Sequence, residues 1–146
     1  MLQHPDPDLI ALGIRQPWAE LILRGIKTIE VRTVPTGVRG PIYLYTGKVL
    51  STDDVARAAC RRHDIDADSL PLGRLVGVVE ILDCRACAAE DASAACVPAD
   101  VLDGKQGWVL GRPVRLPEPM AVRFLPYGIW FYPFRRKGSS PRRRNR

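Results

Sequence analysis

Within the twenty residues from Gly13 to Arg32, GIRQPWAELILRGIKTIEVR, the apolar pattern changes period, and that change limits what the chain can build. Pro17 suits a first helical turn, where its missing N–H costs nothing. Trp18, Leu21 and Ile22 follow at i, i+3 and i+4 and make one apolar stripe. Gly25, just after Arg24, can take the left-handed conformation that ends a helix. From Lys27 to Arg32 the pattern alternates with period two, as in a half-buried strand. A short helix thus hands over to a strand that carries Lys27, Glu30 and Arg32 close together.

The rest of the chain is cut into short pieces by 13 Pro and 12 Gly, which excludes long helices. Residues 1–10 read as a flexible lead-in. Pro41–Thr46 alternates as a strand, with Ile42 and Leu44 on one face and Tyr43 and Tyr45 on the other. Ser51 opens a helix to about His63, with Asp54 at the capping-box position. Arg74–Leu82 is an apolar run that suits a strand buried on both sides, interrupted by Glu80. Cys84–Ala99 fits either a short helix or a loop. Trp108–Leu116 and Ala121–Phe124 read as two strands separated by Pro117-Glu118-Pro119, and Gly128–Phe134 as a last aromatic strand. Many short strands with Pro/Gly turns and few helices predict an α+β domain: a small mixed or closed β-barrel flanked by two or three helices. The domain is expected over 11–134, with a disordered Arg-rich tail over 135–146.

Charge is informative only once that tail is separated. The formal net charge is +6, but seven of the 22 basic residues lie in 135–146, leaving 15 Lys and Arg against 16 acids elsewhere. The tail residues Arg135, Arg136, Lys137, Arg142, Arg143, Arg144 and Arg146 would contact any polyanion weakly and without sequence preference. No apolar run approaches the roughly 20 residues a membrane helix needs, so no membrane partner is expected. The first residues show no secretory pattern, and the cytoplasm is the expected location.

Candidate chemistry concentrates in a few places. Lys27 and Arg32 offer cationic donors that Glu30 can orient, an arrangement suited to a phosphate or a base edge. The bland alternative is an exposed strand face with a Glu30–Arg32 pair. Arg15 and Gln16 stand at a helix start, where free N–H groups favour an anion, and Gln16 has an amide to read a base. Trp18 lies on the apolar stripe and fits the core as well as a site. Tyr45, followed by Thr46-Gly47-Lys48, is a candidate stacking platform with Lys48 beside it. Glu80, a carboxylate in an apolar strand, is either a second catalytic acid or half of a structural ion pair. Cys60 and His63, with Cys84 and Cys87, have zinc-like spacing, but one pair falls on a helix and the other after a strand; no metal and no cofactor are expected.

The pattern Gly25-x-Lys27-x-x-Glu30-x-Arg32, preceded by Ile14-Arg15-Gln16-Pro17-Trp18, resembles the ASCH domain family (activating signal cointegrator homology). The resemblance is strongest over 11–48 and continues more weakly through 73–83 and 107–130. It implies a PUA-like fold and an RNA or nucleotide-like ligand in a cleft formed by Arg15, Gln16, Trp18, Lys27, Glu30, Arg32, Tyr45 and Lys48. It also implies an enzyme alternative. One branch of the family removes the acetyl group of N4-acetylcytidine with the motif lysine, a threonine and a glutamate. Lys27 matches that lysine, but Glu30 stands at the threonine position, so a hydrolase here would use Lys27, Glu30 and Glu80. A ribonuclease and a protein-docking module are the remaining alternatives.

Overall fold

A computed structural model describes residues 3–136 and 138. Six strands form one mixed sheet: β1 (Ala11–Ile14), β2 (Ile29–Arg32), β3 (Gly40–Thr46), β4 (Leu75–Ala86), β5 (Gln106–Met120) and β6 (Trp130–Phe131). Three α-helices join them: α1 (Trp18–Leu23), α2 (Asp54–Arg62) and α3 (Ala92–Ala95). The strand order is β2-β5-β4-β3-β1-β6. β1 and β3 run parallel, and the other pairs are antiparallel.

The strand list differs from the sequence reading where pairing partners are distant. β1 is an addition: Ala11 to Ile14 is too short to show a period, and it is held by register with Tyr43 to Thr46. The expected strand 108–116 is part of a longer one that ends at Met120 and runs through three prolines; 121–124 is not a strand, and of the expected 128–134 only Trp130–Phe131 is. β2 leaves β5 after Val109, so the remainder of β5 is an edge strand, where a missing N–H is tolerated. Residues 87–102 hold the short α3 between two 3-10 turns. The helix expected from Ser51 starts later, capped by Asp53, whose carboxylate accepts from Ala56 N at 2.8 Å.

Both faces of the sheet are covered, so the alternation of β3 does not separate inside from outside. Ile42 and Leu44 join α1 residues Ala19, Ile22 and Leu23 and β5 residue Trp108 in one core. Tyr43 and Tyr45 join Leu9, Leu75, Val78, Leu116 and Phe131 in a second. The expected lead-in belongs to this second layer: Leu9 is buried, and Tyr43 Oη accepts from Asp6 N at 2.8 Å and lies 2.6 Å from His4 Nδ1. Of the expected tail, only Arg135, Arg136 and Gly138 are described. Arg135 stacks on Tyr132 at 3.5 Å; Lys137, Arg142, Arg143, Arg144 and Arg146 lie outside the described residues.

The sheet is not a closed barrel, since β2 and β6 at its two ends share no backbone ladder. Side chains bridge the gap instead. Arg32 of β2 donates through Nη2 to the Gly13 carbonyl of β1 at 3.0 Å. Trp108 of β5 stacks on Trp130 of β6, with centroids 5.8 Å apart and planes 12° apart.

Candidate functional site

The motif residues line this side-chain seam. Glu30 pairs with Trp108 across β2–β5, and its Oε2 accepts from Arg32 Nε at 2.8 Å. The Arg32 guanidinium lies 5.5 Å over the Trp108 ring, and its side chain keeps about 20% exposure. Lys27 is deeper, at 3% exposure. Its Nζ donates to the Ala95 carbonyl at 2.6 Å, stands 3.9 Å from Glu30 Oε1 and lies 5.1 Å over the Trp18 ring. Burial pushes the Lys27 ammonium below its ordinary value of 10.5, and the Glu30 charge acts in the opposite sense. The bland expectation of an exposed pair on a strand face is therefore overturned: this is a buried ion-pair ladder.

Several other expected residues serve the fold. Gln16 is 1% exposed; its Oε1 accepts from Glu20 N at 2.9 Å and its Nε2 donates to the Pro71 carbonyl at 3.3 Å. With both ends of the amide engaged, it is not offered to a base. Tyr45 is 4% exposed and meets Phe131 edge-on at 5.2 Å, so it has no open face for stacking. Trp18 is half-buried between two apolar clusters beneath the Lys27 amine. Glu80 pairs with exposed Arg112 at 3.3 Å. Its β4 neighbours Val79 and Ile81 belong to the core under α1, so Glu80 projects from the opposite face, away from Lys27. Among the described residues no group of three or more His, Cys, Asp or Glu side chains could hold a metal. Cys60 packs with Leu21 and Ile65, whereas Cys87 packs with Ile29 and Leu102.

Three exposed basic residues gather at one end of the sheet. β1 ends at Ile14 and β3 at Thr46, in register, and Arg15 and Gly47-Lys48 follow directly. The turn entering β4 meets them: Gly73 N donates to the Thr46 carbonyl at 2.9 Å, and Thr46 N to the Arg74 carbonyl at 2.8 Å. The Lys48 stem covers Gly73, whose φ of +66° a side chain would strain. Arg15, Lys48 and Arg74 are all exposed, and none has a carboxylate partner among the described residues. Beside them Gly13 N donates to the Ile129 carbonyl at 2.8 Å, which brings the segment Leu125–Trp130 alongside. Leu125 is 65% exposed, Ile129 47% and Tyr127 42%, next to half-buried Trp130.

The sequence reading missed Arg74, Tyr127 and Ile129. It also missed Glu20, a buried carboxylate gripped by Arg115 at 2.8 and 2.9 Å and by Arg24 Nε at 2.7 Å. Burial raises the Glu20 pKa, and the hydrogen bonds from Arg115 and Arg24 outweigh that, so the net direction is down. The Glu20–Arg24 spacing of four on a helix was the available signal.

The arrangement of helix, motif strand and flanking sheet is one that occurs in known proteins. The ASCH domain model matches residues 12–119. The chain belongs to the ASCH domain family. Its relatives include activating signal cointegrator 1 of Mus musculus, 36% identical over 80 residues, and that of Homo sapiens, 35% identical over 80 residues. These matches cover half of this chain and 14% of each relative. The crystal structure of ASCH from Zymomonas mobilis superposes with a TM-score of 0.56 at 14% identity, covering 90% of both chains. A mutant form of that ASCH protein gives 0.53 at 16% identity over 91% of this chain and 92% of its own. At such identities the likeness shows the fold alone, an α+β sheet; the ASCH family is PUA-like and often linked to RNA binding. No described helix is long and apolar enough to cross a membrane.

Proposed function

We propose that this ASCH domain binds RNA through the exposed surface at the ends of β1 and β3. Arg15, Lys48 and Arg74 hold phosphates, and the segment Leu125–Trp130 gives bases an apolar and aromatic surface. The motif residues Lys27, Glu30 and Arg32 position this surface from beneath, because Arg32 ties β2 to the strand that delivers Arg15. The observation that carries the reading is three exposed cations without acidic partners beside an exposed apolar segment. An isolated basic patch would be ordinary; a basic patch flanked by Tyr127, Ile129 and Trp130 has the two parts that single-strand binding needs.

Binding is favoured over hydrolysis at Lys27. A depressed lysine pKa is a mark of catalytic sites as well as of structural ones. Yet the cavity that Lys27 helps line holds about 20 Å³, far less than a nucleoside fills. Glu80, the expected second acid, projects from the other face of the sheet.

The test is the affinity of the full chain for a fluorescent single-stranded oligoribonucleotide across a salt series. Charge reversal at all three cations (R15E, K48E, R74E) is expected to weaken binding at least about tenfold. It is also expected to reduce the slope of log affinity against log salt by about 2, the value for three phosphates on a single strand. Unchanged affinity and slope would place the RNA elsewhere.

A further inference from the structure

A cleft of about 630 Å³ lies between α2 and the segment 92–98, and neither the basic surface nor the motif side chains line it. Its walls are small and apolar, with Val55 and Ala58 on α2 facing Ala92 and Val97. No described Phe, Tyr or Trp side chain lines it. The volume lies within the range of small-ligand sites.

The charges on the cleft are separated along α2. Asp54 and Arg62 both line it and stand eight residues apart on one helix, about 12 Å along the axis. Both are exposed and neither has an ion-pair partner among the described residues. Asp53 is the residue that caps the helix, which leaves the Asp54 carboxylate without that role. At the other end His63 follows Arg62 and also lines the cleft. The helix dipole, about half a charge at each terminus, opposes both side chains without cancelling either. One end of the slot is therefore negative and the other positive, with an apolar middle.

We infer that this cleft binds a short zwitterionic peptide, its ammonium at Asp54 and its carboxylate at Arg62 and His63. An extended chain advances about 3.3–3.6 Å per residue, so three residues span about 10 Å and the charged side chains reach the remainder. The alanines of both walls admit a backbone at close range and leave room for small apolar side chains. A fatty acid would satisfy Arg62 and leave Asp54 facing hydrocarbon; the zwitterion satisfies both ends.

Calorimetric titration of the full chain with the tripeptide Ala-Leu-Ala, and with its N-acetylated and C-amidated forms, tests the assignment. Saturable binding of the free tripeptide is expected, with each cap weakening it by about threefold or more, the scale of an exposed ion pair. The acetyl penalty should vanish in Asp54→Asn and the amide penalty in Arg62→Gln, while Ala58→Trp should fill the slot and abolish binding. All three positions are exposed, so the variants keep the fold, which circular dichroism verifies. Absence of saturable binding, equal binding of all three peptides, or unimpaired binding by Ala58→Trp would each overturn the inference. None of these outcomes depends on RNA.

Discussion

Lys27 shows how a motif residue can be structural and still be chemically distinctive. Its amine has one carbonyl at 2.6 Å and one carboxylate at 3.9 Å, inside a shell that excludes water. Because burial lowers its pKa, the folded chain binds fewer protons at this site than the unfolded chain just below 10.5. Unfolding therefore takes up protons there, and the Lys27 contribution to stability rises with pH through that window. The half-buried thiols Cys60, Cys87 and Cys96, whose pKa values desolvation raises, act in the opposite sense. A difference measurement isolates the lysine. The unfolding free energy of the wild type minus that of Lys27→Met should increase as the pH is raised towards 10.5. A flat difference in urea titrations would show that the amine is hydrated in the folded state.

At the scale of elements, the packing of α1 on the sheet depends on Gly77 in β4. A methyl group there would collide with the Leu23 side chain of α1 and would stand 2.7 Å from the Val114 carbonyl of β5. The side chain can move but the backbone oxygen cannot without breaking the β4–β5 ladder. Gly77→Ala should cost about 1–3 kcal/mol, read as a lower urea midpoint with an unchanged slope. The elements best read from sequence were those with local signals. The Trp18, Leu21, Ile22 stripe gave α1, alternation gave β3, and the capping signal from Ser51 to Asp54 gave α2. Local signals were silent on β1, which exists through its parallel register with β3, and misleading on β5, where prolines sit on an edge. Tyr45 was misplaced for a related reason. Alternation says which residues share a face, but here the second face is covered by Leu9, Leu116 and Phe131, residues distant in sequence. Arg74 and Ile129 were missed because only tertiary packing brings their turns to the end of β1.

Across the whole molecule the motif side chains and the exposed cations occupy different places. The GxKxxExR pattern is found in this ASCH domain with Lys27 and Glu30 buried and Arg32 half-buried along the seam that draws together the two ends of an open sheet. Three exposed cations that suit a polyanion lie at the adjoining strand ends, and seven further basic residues lie in 135–146. Bulk binding cannot distinguish these two basic regions. The most direct measurement is photocrosslinking of the full chain to a 4-thiouridine single-stranded oligoribonucleotide, with the attached peptides identified by mass spectrometry. Crosslinks to Tyr127, Ile129 or Trp130 and to the turns holding Lys48 and Arg74 are the predicted result. Crosslinks confined to 135–146, or to the cleft beside α2, would contradict the account.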